Sequence, residues 1–580
     1  MDNRGLLFVT RTEWKFALAG SIVSFLLASL VLFGWPNFFP AFINKPFLYA
    51  GDGLAIDWLA QRAIEGWIFD NPRSGFPFGS SFLDYPGSDT GNFLIYKLLG
   101  LLSGSVIPAV NLHFMLSFPA VFLTTFLVLR YFEVRRAYAM CFAMLFTFAP
   151  FHFARYLYGH LLYTWYFCVP LFYYYGYKLA LGKALFNLRS FSGALSLITI
   201  AALLSSFGVY FAFFGVIVII VCAIFGSIQQ TSGKPIYQGA LFSVAIFIGV
   251  VANLAPNIID RATHGQNPEV AQRIALETEV YSLKTIHLLL PQPDHRISKL
   301  SEFTKNYQRT FPLSNTTSYI GVVGIAGLLV ILATIMAALA GKNIDRRISL
   351  AAIVVLAVML TATTGGFSVV FAMLITPVIR GWDRIAIFIN FGCLLALAIT
   401  LNGARLNRLY ERARYAPLAI ATAITTIGLI DQTTNSYRAV IDGAAAIYDI
   451  DSNFIKKIEE TLPPQSAVYQ LPYFAFPESA PKNNLSVYTL GSAFFNSQTL
   501  RWSFGGIRGR EGDLFYRALE QKSAEEQIEA VKKLGFSAIY IDRRGYADRA
   551  DTLIADFTKL LGPPALTRAD GEVVLFVLKK

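Results

Sequence analysis

The residues best suited to chemistry in this chain of 580 residues begin with two carboxylates near its start. Asp52 stands in the stretch Ala50-Gly-Asp-Gly, and Asp57 follows five residues later. Flanking glycines let the backbone approach a ligand closely, so Asp52 could serve as a general base or a metal ligand, or it could cap a following helix. Residues five apart do not share a helix face, so Asp57 joins Asp52 only if Asp52 lies in the preceding loop.

A second pair of carboxylates, Asp84 and Asp89, brackets a Pro-Gly turn. Oxygen ligands of this kind suit a divalent cation such as Mg²⁺ or Mn²⁺. Aspartate is also common in turns because it forms local hydrogen bonds, so the sequence leaves a metal site and ordinary turn chemistry both open. The four cysteines lie in apolar runs without CxxC or CxxH spacing, which indicates neither a zinc site nor a disulfide framework.

Positively charged side chains form two clusters that could hold a phosphate. Arg155 and His160 lie in one aromatic-rich turn, and Arg380 and Arg384 lie in another. Arginine can grip a phosphate through two parallel hydrogen bonds, and Lys97 has a weaker claim of the same kind. Alternatively, these side chains only reach toward the membrane surface. Asp383, which lies between Arg380 and Arg384, could also simply pair with a neighbouring arginine.

These residues belong to a chain that is built mainly for a membrane. It is 55% hydrophobic and 15% charged, with a mean hydropathy of +0.50, whereas soluble domains carry about 25% charged residues. The net charge of +12 lies at the ends of apolar runs, which favours lipid headgroups over nucleic acid. About eleven segments are candidate spans: 15–35, 106–130, 137–151, 161–180, 191–207, 209–227, 237–256, 319–340, 348–364, 385–402 and 415–430.

The lysines and arginines of the short loops predict the orientation. With eleven spans, every dense cluster falls on the side of the N-terminus, so we expect a multi-pass protein of the inner (cytoplasmic) membrane with a cytoplasmic N-terminus. The opposite side then holds the loops 36–105 and 257–318 and the C-terminal part. The clusters are Arg4, Arg11 and Lys15; Arg130, Arg135 and Arg136; Lys178, Lys183 and Arg189; Lys234; Lys342, Arg346 and Arg347; and Arg405, Arg408, Arg412 and Arg414.

Two domains are predicted: a transmembrane domain over 1–430 and an extracytoplasmic, or periplasmic, soluble α/β domain over 431–580. In the second, 467–471, 538–542 and 573–578 have strand patterns and 524–534 has a helical pattern. The fold class is therefore a polytopic α-helical membrane protein with a C-terminal α/β domain. Within the first external loop, 57–66 is amphipathic, so we expect one or two short helices along the membrane surface, with Asp52 at the mouth of a cavity.

Five stretches together resemble bacterial members of the GT-C superfamily of membrane glycosyltransferases. They are Ala50-Gly-Asp-Gly, Phe76-Pro-Phe-Gly, Asp84-Tyr-Pro-Gly-Ser-Asp, Pro150-Phe-His-Phe-Ala-Arg and Gly159-His. The likeness covers mainly residues 1–260, and it extends to the layout of many spans, a large first external loop and a soluble C-terminal domain.

The resemblance implies a GT-C glycosyltransferase that moves a sugar from a polyprenyl-phosphate donor to a glycan, lipid or protein acceptor by an inverting single displacement. It implies that Asp52 activates the acceptor or binds a metal, and that Arg155 and His160 lie on the phosphate side. The adjacent acidic pair of several GT-C branches is missing here, which leaves dependence on Mg²⁺ or Mn²⁺ open.

Two other functions remain possible from the sequence. A transporter or flippase for a lipid-linked or envelope glycan precursor would have discontinuous helices and charge near the middle of the bilayer, and little charge lies within the predicted spans. A non-catalytic envelope scaffold is the other alternative. A lateral apolar groove beside Asp52 would favour the enzyme, whereas a central water-lined path would favour transport.

Overall fold

The apolar runs fold into a helical bundle. A computed structural model describes residues 10–36, 43–87, 89–311, 318–403, 410 and 412–578, so the predicted cytoplasmic arginines Arg4, Arg405 and Arg408 lie outside the described residues. The helices of the first half are α1 (Arg11–Phe33), α2 (Asp52–Glu65), α3 (Thr90–Ser103), α4 (Val106–Tyr131), α5 (Arg136–Thr147), α6 (Pro150–Leu157), α7 (Cys168–Ala180), α8 (Phe191–Ser205), α9 (Val209–Gln230), α10 (Lys234–His264) and α11 (Ala275–Val280). Those of the second half are α12 (Ser298–Thr310), α13 (Gly321–Leu339), α14 (Arg346–Ala362), α15 (Phe367–Leu374), α16 (Ala386–Leu401), α17 (Ala416–Gln432), α18 (Tyr437–Thr461), α19 (Ser492–Asn496), α20 (Glu511–Leu519), α21 (Ala524–Lys533) and α22 (Asp551–Leu561).

Seven helical segments among the described residues are long and apolar enough to cross a membrane. They are α1, α4, the α5–α6 pair, α9, α10, α13 and Trp382–Leu401, which combines a short 3₁₀ turn with α16. The other four predicted spans also form helices, namely α7, α8, α14 and α17, but these have only 13, 15, 17 and 17 residues. At 1.5 Å per residue they fall short of a hydrocarbon core of about 30 Å, so the total of eleven stays a prediction.

The C-terminal part contains a five-stranded sheet, which confirms the predicted strands. Its strands are β1 (Ala467–Leu471), β2 (Arg501–Trp502), β3 (Phe536–Asp542), β4 (Leu566–Thr567) and β5 (Val573–Val577), in the order β2-β1-β3-β5-β4. Strands β1, β2 and β3 are parallel, and β5 is antiparallel to both β3 and β4. The predicted helix at 524–534 is α21.

The long segment between α1 and α4 is bound to this sheet rather than standing apart from it. Trp502 N donates to Arg73 O at 2.7 Å, and Phe76 N donates to Trp502 O at 3.0 Å, so the segment 73–76 pairs with the edge strand β2. Arg510 grips Asp84 with two hydrogen bonds of 2.7 and 2.6 Å. The loop is therefore a fixed part of the structure, held between the bundle and the C-terminal part.

Two helices form in this loop, as expected, but their surfaces differ from the prediction. Helix α2 begins five residues earlier than predicted, and its apolar face is covered by α3, α4 and α19, with Ile56, Leu59 and Ala63 all buried. That face therefore does not meet lipid. Helix α3 carries an exposed apolar row instead, formed by Leu94, Leu98, Leu101 and Leu102.

Candidate active site

The candidate site is centred on Asp52, which is the first residue of α2. Gly51 precedes it as the N-cap, with φ of 51° and ψ of −134°, a conformation that favours glycine. Because Gly51 occupies the N-cap position and no side chain caps the helix there, Asp52 is not the capping residue. A carboxylate in the first turn is stabilised by the positive end of the helix dipole. Its side chain is 51% exposed, so a substrate can reach it.

A tight turn after α6 brings His160 against Asp52. Gly159 has φ of 74°, and a Cβ built on it would lie 2.3 Å from Gly53 N and 2.7 Å from the carbonyl carbon of Asp52. Only glycine allows this close approach of the two backbones. His160 Nε2 then lies 3.1 Å from Asp52 Oδ2.

Arg155 lies behind His160 and is fully buried. Its Nη1 is 3.3 Å from His160 Nδ1, and its Nη2 donates to Asp383 Oδ2 at 3.3 Å. Arg155 is 1% exposed and Asp383 is 3% exposed. The ends of two predicted spans thus meet in a line of four polar groups that runs from the interior to the surface: Asp383, Arg155, His160 and Asp52.

The partners of the two ring nitrogens indicate which of them carries the proton. Arg155 can only donate, so Nδ1 of His160 must accept, and the ring proton is on Nε2, which donates to Asp52. Burial lowers the pKa of His160, and the positive charges of Arg155 and Arg384 lower it further, against the opposing effect of Asp52. A neutral imidazole therefore holds one oxygen of the exposed carboxylate and leaves the other oxygen for a substrate proton.

Arg384 lies in the same region, held between two tyrosines. Its Nη1 donates to Tyr163 Oη at 3.0 Å, and its guanidinium lies 4.4 and 4.3 Å from the ring centroids of Tyr163 and Tyr210. Asp89 is near it: burial raises the pKa of Asp89 to about 6, while Arg384 and a backbone hydrogen bond from Gly208 oppose the rise. The guanidinium is partly buried and rigidly oriented, which suits an anion.

Two of the predicted phosphate-binding residues have other partners. Arg380 pairs with Glu277 and lies 3.8 Å from Glu478. Lys97 donates to the carbonyl oxygen of Gly66, just beyond the end of α2. Lys97 is thus engaged away from Asp52, whereas Arg380 belongs to a charged cluster that ties the 257–318 loop to the C-terminal part.

Asp57 lies on a different side of α2 from Asp52. It is 2% exposed and lines a small cavity with Asn111, Phe114 and Tyr156. Its Oδ2 has no hydrogen-bond partner among the described residues, and burial raises the pKa of Asp57 well above its usual range. Asp57 could have joined Asp52 only if Asp52 lay in the loop before the helix, but α2 already begins at Asp52. The structure therefore does not bring Asp57 to the site.

The donor set does not fit the divalent metal suggested for Asp84 and Asp89. Asp84 is bound by Arg510 and also accepts from Asn267 at 3.0 Å, whereas Asp89 faces Gly208 and Arg384. Across the described part of the chain, no three histidine, cysteine, aspartate or glutamate side chains are grouped to hold an ion.

Sequence reasoning missed the contribution of the C-terminal part. Glu478, with φ of 63°, accepts two hydrogen bonds from Arg273 at 3.1 and 2.6 Å and one from Tyr85 at 3.3 Å. The pKa of the Tyr488 phenol is raised mainly by burial and next by the negative charge of Asp52, which shows that the two side chains are close. No local pattern marks either residue, because both act through partners that are distant in the sequence.

Comparison with known proteins identifies the fold. No protein-family model and no curated protein sequence matches the chain. The apo structure of ArnT from Cupriavidus metallidurans aligns over 98% of this chain and 98% of its own, with 10% identity and a TM-score of 0.51. AglB from Archaeoglobus fulgidus, in complex with an inhibitory peptide and a dolichol-phosphate, aligns over 92% and 70% with 12% identity and a TM-score of 0.46. Arabinofuranosyltransferase AftD from Mycobacteria aligns over 99% and 40% with 12% identity and a TM-score of 0.47. At 10% identity, the likeness to ArnT shows that the two chains share a fold.

Proposed function

From the GT-C fold, we propose that this protein is a membrane glycosyltransferase that moves a sugar from a polyprenyl-phosphate donor to an extracytoplasmic glycan, lipid or protein acceptor. One observation carries the proposal. A half-exposed carboxylate, Asp52, is held by a neutral histidine at the end of a membrane bundle, in the same region as the oriented cation Arg384. A base and an anion-binding group in one place are what transfer from a phosphate-linked donor requires.

The reaction is a single displacement. Asp52 takes the proton of the acceptor hydroxyl while that oxygen attacks the anomeric carbon of the donor sugar. The new glycosidic bond forms as the bond from the anomeric carbon to the phosphate oxygen breaks, and polyprenyl phosphate leaves with the bonding electrons. Attack from the face opposite the leaving group inverts the anomeric centre. His160 holds the Asp52 carboxylate in place during this step.

Arg384 is the residue that we assign to the phosphate. Negative charge on the leaving phosphate grows as the bond breaks, and a pre-oriented guanidinium stabilises that charge without reorganisation. The two tyrosine rings hold the arginine plane in one orientation, and stacking of this kind is specific to arginine over lysine.

The ends of the spans, rather than their middles, carry the charged groups described here. Glu13 pairs with Arg130 and Arg136 at one end of the bundle, and Arg155 pairs with Asp383 at the other. A transporter site formed by discontinuous helices would place such groups near the bilayer midplane. This distribution favours the enzyme over the transporter.

The test is release of labelled sugar from a polyprenyl-phosphate donor by the purified protein in lipid nanodiscs. We expect Asp52→Asn to lower turnover by about 10²- to 10⁴-fold, the usual contribution of a general base, without loss of thermal stability. Asp260→Asn is the matched control, because it alters another aspartate–histidine pair, with His264 at 2.8 Å, at the end of α10. Near-normal turnover in Asp52→Asn with a proven donor would show that the base lies elsewhere.

A further inference from the structure

Arg155 is too deeply buried to bind the donor phosphate, which is the role that its sequence context suggests. A phosphate oxygen must come within about 2.9 Å of a guanidinium nitrogen to bind, but Arg155 is 1% exposed. Its guanidinium also lies 4.7 Å from the ring centroid of Phe151, and its two terminal nitrogens face His160 and Asp383. The donor phosphate therefore has no path to it in this structure.

We propose that Arg155 and Asp383 are positioning residues that act on Asp52 through His160. Asp383 orients the guanidinium of Arg155, Nη1 of Arg155 keeps Nδ1 of His160 as an acceptor, and Nε2–H of His160 therefore points at Asp52. The catalytic consequence rests on the proposed function, but the protonation of His160 can be measured without any turnover.

The physical reason is that a neutral imidazole has two forms with its proton on different nitrogens. With the proton on Nε2, His160 donates to the carboxylate of Asp52. With the proton on Nδ1, the lone pair of Nε2 would face that carboxylate and repel it. Arg155 excludes the second form, because a guanidinium hydrogen cannot share the space with an Nδ1 hydrogen.

Asp383 is needed because one flexible side chain would not hold this geometry alone. The 3₁₀ turn Trp382–Ile385 brings Asp383 beside α6, 228 residues away from Arg155 in the sequence. The charged groups that act on His160 are Asp52 on α2, Arg155 on α6 and Arg384 beside Asp383. Of these, Arg155 has its nitrogen against Nδ1, so it decides which ring nitrogen carries the proton.

The first experiment observes the ring nitrogens directly. The chain has six histidines, so ¹⁵N-histidine NMR of the full-length protein gives few signals, and the pair that disappears in His160→Gln identifies His160. We expect the Nε2–H form in the wild type and a mixture of both forms in Asp383→Asn and Arg155→Lys, since lysine cannot bond to two partners as a planar fork does.

Glu13→Gln is the matched control. It removes a carboxylate partner from Arg130 and Arg136 at the opposite end of the bundle, where the distances are 3.0 and 2.9 Å. The His160 signals should not change in this variant. Unchanged His160 signals in Asp383→Asn and Arg155→Lys would overturn the proposal, and Asp383→Asn, which preserves size, decides the matter if Arg155→Lys does not fold.

The second experiment separates positioning from phosphate binding. Asp383→Asn should lower kcat by about 10- to 100-fold, the range expected for one hydrogen bond to a charged group, with little change in KM for the donor. In a His160→Gln background the same change should cost less than about twofold, because residues in one network are not additive. A raised KM with normal kcat, or full additivity, would contradict the proposal. Activity in Asp52→Asn would instead refute the proposed base, and the NMR result would be unaffected.

Discussion

Gly159→Ala tests whether the contact between the turn after α6 and the start of α2 is needed for activity. The added Cβ would lie 2.3 Å from Gly53 N, whereas ordinary contacts begin at 3.4 Å. The two nearest atoms, Gly53 N and the carbonyl carbon of Asp52, belong to the backbone, so no side-chain rotation can relieve the overlap. The turn must retreat by roughly 1 Å.

The expected loss follows from this displacement. His160 Nε2 and Asp52 Oδ2 are 3.1 Å apart, so a retreat of roughly 1 Å takes them beyond hydrogen-bond range. A misplacement of about 1 Å in a catalytic site costs about 10²-fold in rate. The variant also bears a left-handed alanine, at about 1–2 kcal/mol, and overpacking, at about 1–3 kcal/mol.

Gly104→Ala separates these two costs. Gly104 has φ of 73°, nearly the same as the 74° of Gly159, but no atom lies within 4 Å of the Cβ position. We expect this control to lose only the conformational part of the stability and to keep its turnover. The assays are thermal unfolding followed by tryptophan fluorescence and sugar release from a polyprenyl-phosphate donor. A folded Gly159→Ala variant with wild-type turnover would show that the contact of Asp52 with His160 is dispensable.

Three further predictions concern other parts of the chain. Burial raises the pKa of Asp57, so the folded state holds a proton that the unfolded chain releases above about pH 4. Asp57→Asn should therefore unfold at a higher temperature than the wild type at pH 8, and this difference should disappear towards pH 4. A loss of turnover in this variant would instead show that Asp57 is catalytic. Asp89, with a pKa of about 6, becomes negative beside Arg384 as the pH rises, so KM for the donor should increase between pH 5 and 7 in the wild type and stay flat in Asp89→Asn. The four native cysteines are buried, so Ser523→Cys should react with an impermeant maleimide added outside spheroplasts, and reaction only after permeabilisation would reverse the predicted orientation.

The sequence by itself determined the helical bundle and the strands of the C-terminal sheet. Long apolar runs must form helices in a membrane because the backbone has no other hydrogen-bond partner there. Short, mostly apolar runs indicated β1, β3 and β5. It also marked Asp52 and His160 as candidates, because a carboxylate between glycines and a histidine in an aromatic turn are visible as residue types within a few positions.

Only the tertiary structure decided which of these residues meet and what each can do. His160 reaches Asp52 across 108 residues, and Arg155 reaches Asp383 across 228. Arg155 has the right chemistry for a phosphate, but packing buries it and makes it a partner of His160. Asp57 is buried on a side of α2 that faces away from Asp52. Asp84 is hydrogen-bonded to Arg510 of the C-terminal part. Burial and hydrogen-bond partners depend on distances between segments far apart in the chain, and local sequence patterns do not encode those distances.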